Sequence, residues 1–157
     1  MTRREPKTAW WATGLTALND WQLFQNERDS LIKIAKLSIE YGQKNREPVL
    51  VDLEQFPDSL RQPAASFVTL HLERKLRGCI GRIDPSKAMV QDIADHAYAA
   101  AYNDPRFPPV SEHEIPLLEI EISILSATYP MTFTSEQDLL RQLRPDIDGL
   151  VLRAGSR

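Results

Sequence analysis

The chain has 157 residues, 42% of them apolar and 26% charged, an ordinary composition for one soluble globular domain. Its 19 Lys and Arg against 22 Asp and Glu leave a net charge of −3, which excludes the strongly basic balance of a general nucleic-acid binder. A single cysteine, Cys79, excludes an intrachain disulfide framework and any multi-thiolate metal site, and makes a reduced cytoplasmic compartment the default expectation.

At the N-terminus, basic residues precede the apolar stretch from Ala9 to Leu18, a pattern that raises the question of a secretory signal. Thr13, Gly14 and Thr16 dilute the stretch, and it is far shorter than the roughly 20 residues a spanning helix needs, so neither a signal nor a membrane segment is expected. Residues 1–25 are read as an appended arm and 26–157 as the domain proper. Trp10, Trp11 and Trp21 would dock the arm onto the body or onto a partner, the former being the commoner use of such anchors.

From Asn26, with Asp29 as its capping partner, Leu31, Ile34, Ala35, Ser38 and Ile39 recur at helical spacing until Gly42 and the polar run to Pro48. Val49–Leu53 is a short strand candidate, and Pro57–Pro63 a loop. Phe67–Leu72 and Leu76–Arg82 form a hairpin around a three-residue loop, Glu73-Arg74-Lys75. Ser86 caps a second helix through Ala101, whose apolar sector holds Val90, Ile93, Ala94, Ala97 and Ala101 and excludes Asp92 and Asp95. The proline-rich run Asn103–Pro109 is irregular. Glu119–Ile124 alternates as a half-wet strand, Glu136–Leu143 is a helix capped by Thr134 or Ser135, and Leu150–Leu152 is a last strand. Mixed helices and strands with a hairpin predict an α+β sheet domain, and no glycine-rich phosphate loop opposes that class.

Alternation along the hairpin orients its faces. Pairing Leu72 with Leu76 puts Leu70 opposite Gly78 and Val68 opposite Ile80 on the core side. The other side then carries Thr69 opposite Cys79 and His71 opposite Arg77, with His71 diagonal to the thiol. A thiol beside a guanidinium and an imidazole has the makings of a nucleophile, with His71 as its base or acid and Arg77 as an anchor for a carboxylate or phosphate. Gly78 and Gly81 would let a ligand or a second backbone approach. The competing reading is plain architecture, since lone cysteines are mostly small buried hydrophobes and strand glycines often mark bulges.

The run Leu76-Arg77-Gly78-Cys79-Ile80-Gly81, followed by Asn103–Val110 and the Glu119–Leu125 strand, resembles the AMMECR domain family across about residues 27–153. The resemblance implies an α+β fold with a mixed sheet, flanking helices and two subdomains, the hallmark run lying near the cleft between them. It implies enzymatic activity without a defined reaction. It also implies kinship with the protein A component of the AmmeMemoRadiSam system, whose companions are a Memo-type protein and a radical-SAM enzyme. Carried across, Leu76–Gly81 and Asp104–Phe107 are the functional candidates, with Arg106 facing the thiol or pairing with Asp104. Two features depart from the family: the Trp-containing arm, and the end at Arg157, where members continue with a strand and a helix, so that the domain reads as truncated.

Other motifs carry less. Gly78-Cys79-Ile80-Gly81 matches a nucleic-acid-clamping GXXG only superficially, because it lies in a strand. His113-Glu114 lacks the second histidine of a zincin, and Pro116 breaks the helix such a site needs. No metal or cofactor is expected. The sequence thus predicts a thiol enzyme acting through Cys79 on a small anionic substrate, with a binding or scaffold module for a protein or nucleic acid as its alternative.

Overall fold

A computed structural model of the chain describes residues 11–17, 23–145 and 148–153. Two compact units divide it: Asp20–Leu125 is the larger, and Met1–Asn19 with Ser126–Arg157 the smaller. Helices and antiparallel strands together make the protein α+β.

In chain order the elements are β1 (Trp11–Ala17), α1 (Gln25–Asn45), α2 (Asp58–Arg61), β2 (Ala65–Leu72), β3 (Lys75–Arg82), α3 (Met89–Tyr102), β4 (Glu119–Met131), α4 (Glu136–Gln142) and β5 (Asp148–Arg153). Within the larger unit, β2 lies between β3 and the first half of β4, with α3 packed on one face of the strands and α1 packed on α3. Val68, Leu70, Met89, Val90, Ile93 and Ala97 are fully buried in the core between them. In the smaller unit β1 pairs antiparallel with β5, Thr13 opposite Val151, so the segment read as an arm contains a strand. The side chains of the three tryptophans lie outside the described residues.

Several local expectations are corrected. The start of α1 is capped by Glu27, whose Oε2 accepts the Phe24 N–H at 2.7 Å, rather than by Asn26 with Asp29. Gly42 sits inside α1 and does not end it, because a Cβ there would fall 2.4 Å from the Tyr98 ring. The helix ends at Arg46, in the left-handed region at φ 62°. Residues 49–51 form no strand: Gln91 accepts the Val51 N–H at 2.9 Å and donates to the Val49 carbonyl, replacing a ladder with one side chain. Ala88, not Ser86, occupies the cap position of α3, and Asp92 is wholly buried, not solvated. The cap of α4 falls where the sequence predicts it, on Ser135 of the two candidates, which accepts the Asp138 N–H at 3.1 Å.

The hairpin turn holds two residues, not three. Glu73 and Arg74 are both left-handed, at φ 51° and 64°, the backbone that matches the twist of flanking strands. Leu72 therefore pairs with Lys75 and His71 with Leu76. A bulge at Arg77 restores the expected register beyond it, Leu70 opposite Gly78 and Thr69 opposite Cys79.

Candidate functional site

The alternation of β2 and β3 leaves Thr69 and Cys79 on the face turned away from α3. Thr69 Oγ1 lies 3.2 Å from Cys79 Sγ. Across β2 the same row continues into β4, where Glu121 stands opposite Thr69. The next row pairs His71 with Leu76 on one side and Glu119 on the other. The half-buried face thus presents a thiol, a hydroxyl and a carboxylate in line, with His71 one row away.

β3 is the outer strand of this unit, so Cys79 has backbone groups that no strand pairs. Its N–H donates to Asp104 Oδ2 at 2.8 Å, and its carbonyl accepts from an Arg106 terminal nitrogen at 3.1 Å. Arg106 returns to Asp104 through Nε at 3.0 Å and a terminal nitrogen at 2.7 Å, closing a ring of charge-assisted bonds around one peptide segment. Because both backbone groups of Cys79 point outward, Thr69 and Cys79 form the closely spaced, non-hydrogen-bonded kind of cross-strand pair, which explains the short oxygen–sulfur distance. Asp104 is only 4% exposed. The Arg106 side chain, the Cys79 N–H and the Arg106 N–H hold its carboxyl well below the usual range, against the opposing effect of burial. Arg106 is raised in turn, first by Asp104 and to a lesser extent by the Cys79 side chain, against the opposing effect of burial. Its other face stacks on Phe107, 5.5 Å from the ring centroid.

Arg77 goes elsewhere. Its guanidinium makes a fork to Glu114 at 2.7 and 3.2 Å, and donates to the carbonyls of Pro108 and Pro109 at 3.0 and 3.4 Å. Those bonds leave its side chain 11% exposed. The Arg77 bonds, and then Ser111, bring Glu114 down from 4.5 to about 2. The two sequence candidates therefore divide: Arg106 pairs with Asp104 and bonds the backbone carbonyl of Cys79, while Arg77 is engaged by the 108–114 segment. Gly78 admits the α3 backbone, since a Cβ there would stand 2.1 Å from the Ala100 carbonyl oxygen. Gly81 lies as tightly against Ser66 and Phe67, its would-be Cβ 2.3 Å from the Ser66 carbonyl oxygen.

In the sequence Glu114 and Glu121 offer carboxylates for a metal or for acid-base work, with a wet strand face as the better account, and the buried group Ser66, Asp92 and His96 was passed over. The signal for the last was Ser66, a hydroxyl in the apolar row of Val68 and Leu70, facing two titratable residues four apart on α3. No group of three or more His, Cys, Asp or Glu residues suited to a metal ion occurs among the described residues. None of the described helices is long and apolar enough to cross a membrane.

A model of the AMMECR1 family matches residues 32–157 of the chain. The chain belongs to the AMMECR1 family. An AMMECR1-family relative from Methanothermobacter thermautotrophicus is 37% identical over 137 residues, covering 85% of this chain and 69% of the relative. Another, from Thermotoga maritima, is 36% identical over 134 residues, covering 76% of this chain and 74% of the relative. The crystal structure of the uncharacterized protein PH0010 from Pyrococcus horikoshii is similar at a TM-score of 0.62 and 30% identity, over 66% of this chain and 53% of that one. The chain thus spans from about half to about three quarters of these relatives. In this chain the Asp104 and Arg106 loop is joined to the Leu76–Gly81 run through the backbone of Cys79.

Proposed function

We propose that this AMMECR1-family protein is a cytoplasmic thiol enzyme in which Cys79 acts as nucleophile on a small anionic substrate. One observation carries the reading: Arg106, with a side chain 53% exposed, is locked by Asp104 and by the backbone carbonyl of Cys79, which holds a cation beside the cysteine. Thr69 hydrogen-bonds the sulfur, and His71 in the next row is the nearest imidazole on that face of the strands for proton transfer. Glu121 extends the row as a further polar contact. Membership of the family, rather than any residue contact, is the ground for including a Memo-type protein and a radical-SAM enzyme as companions.

The alternative is a non-catalytic module in which Asp104 and Arg106 serve only to finish the edge of β3. Alkylation of Cys79 by iodoacetate and iodoacetamide separates the two. In both reactions sulfur displaces iodide from carbon, but only the first reagent is an anion. The expected result is a preference for iodoacetate of about tenfold, reduced in Arg106→Gln and partly kept in Arg106→Lys. Equal rates with the two reagents in the folded wild type, or an unreactive thiol, would overturn the enzymatic reading.

A further inference from the structure

On the α3 side of the strands, behind the face that carries Cys79, a cavity of about 600 Å³ opens between the end of β3, the 83–88 loop and α3. Ile80 and Ala99 supply apolar wall, and Arg82, Ser86, Asp95 and His96 supply polar groups. That volume is in the range of small-molecule sites.

The inner wall is organised around His96, which is 3% exposed. Its Nδ1 lies 3.1 Å from Ser66 Oγ, which lies 3.4 Å from Asp92 Oδ2. With Ser66 donating to the carboxylate, its oxygen accepts from Nδ1–H, and the network assigns Nε2 as the acceptor of the ring. No described residue hydrogen-bonds Nε2. Asp92 is wholly buried and its Oδ1 has no hydrogen-bond partner among the described residues, Arg82 Nε standing 3.6 Å away. A carboxylate kept under such conditions is costly to stability, and what it does is fix the imidazole and draw Arg82 to the rim. Burial holds His96 below its ordinary value, Asp92 and Asp95 opposing and Arg82 and Lys87 reinforcing that effect, so at neutral pH the ring stays an acceptor.

The charges around the cavity have both signs. Arg82 is 43% exposed at the rim and donates to Ser86 Oγ, whose own hydrogen remains available to an incoming oxygen. Asp95, which holds Lys87 and Gln91, faces the same space. A simple anion meets the Asp95 carboxylate there, and a simple cation meets Arg82 and Lys87. We propose that the cavity binds a small zwitterion, a free amino acid with a short apolar side chain. Its carboxylate sits on Arg82 and Ser86, its ammonium between Asp95 and His96 Nε2, and its side chain on Ile80 and Ala99. This site is independent of thiol chemistry at Cys79.

The probes are L-valine and its two halves, isobutyrate and isobutylamine, followed through the imidazole NMR signals of His96 in the whole chain and assigned with His96→Gln. Valine should shift them saturably, at a concentration at least about tenfold lower than either half. Arg82→Gln should weaken valine about tenfold. Because Arg82 also approaches Asp92, Ser86→Ala supplies a variant outside the buried cluster, with a few-fold loss expected. No saturable response to valine, a response matched by isobutyrate or isobutylamine alone, or affinity unchanged in both variants would overturn the proposal.

Discussion

The carboxylate of Asp104 holds the backbone N–H of Cys79 at 2.8 Å, from a position 25 residues further along the chain. It is a buried acceptor with four donors around it: that amide, the Arg106 amide, and two guanidinium nitrogens of Arg106. Asp104→Ala should therefore cost about 2–3 kcal/mol in urea denaturation, since it strands an amide and a guanidinium together. Arg106→Ala removes a half-exposed partner and should cost clearly less than Asp104→Ala. Equal losses would mean that the carboxylate does not hold the strand edge.

Gly78 and Gly42 test the difference between a backbone obstacle and a movable one. A methyl at Gly78 meets the Ala100 peptide, which α3 holds rigidly, so Gly78→Ala should destabilise by about 3 kcal/mol or prevent folding. A methyl at Gly42 meets the Tyr98 and Tyr102 rings, which can turn aside, and gains about 1 kcal/mol of helix propensity. Its net effect should be the smaller by at least about 1 kcal/mol in the same assay.

Acid should expose the Arg77 and Glu114 pair. Glu114 has a folded value near 2 against 4.5 for the free group, so the unfolded chain binds the extra proton first. The stabilisation it brings is complete above pH 4.5 and is lost as pH falls toward about 2. Glu114→Gln should lose about 2 kcal/mol at neutral pH and flatten the fall of stability with pH in that window. Asp104 is depressed in the same direction, so part of the slope should survive in the variant.

His96 gives a second window. Its folded value is lowered from 6.5, so between the two values the unfolded state holds more protons and stability rises with pH. Acidification through 6.5 should destabilise the wild type until the folded group itself protonates. In His96→Gln this component of the slope should vanish, while the component below 4.5 persists. An unchanged slope near pH 6 would place the proton elsewhere.

The strand faces were legible because a period of two tolerates compensating errors. The turn is one residue shorter than the spacing suggests and the bulge at Arg77 returns that residue, so Thr69 still meets Cys79 while His71 does not meet Arg77. Bulges leave no mark in an apolar and polar pattern, and Arg77 and Gly78 alternate correctly with or without one. Asp92 was illegible for a related reason: the helical wheel assigns a charge to solvent, whereas Ser66 and His96 provide it with an interior. Val49–Val51 has strand composition, but its hydrogen bonds are taken by Gln91, a side chain 40 or more positions away. The destinations of Arg77, on Glu114, and of Arg106, on Asp104 and the Cys79 carbonyl, required tertiary structure, because loop 103–110 has no period from which its direction can be read.

The ring formed by Asp104, Arg106 and Cys79 has one more result, for encounters between molecules. An outermost strand usually offers free amides and carbonyls that can template the addition of another chain. Midway along β3 those groups are already occupied by the protein's own loop, and a stray segment arriving there would have to displace an ion pair before it could zip on.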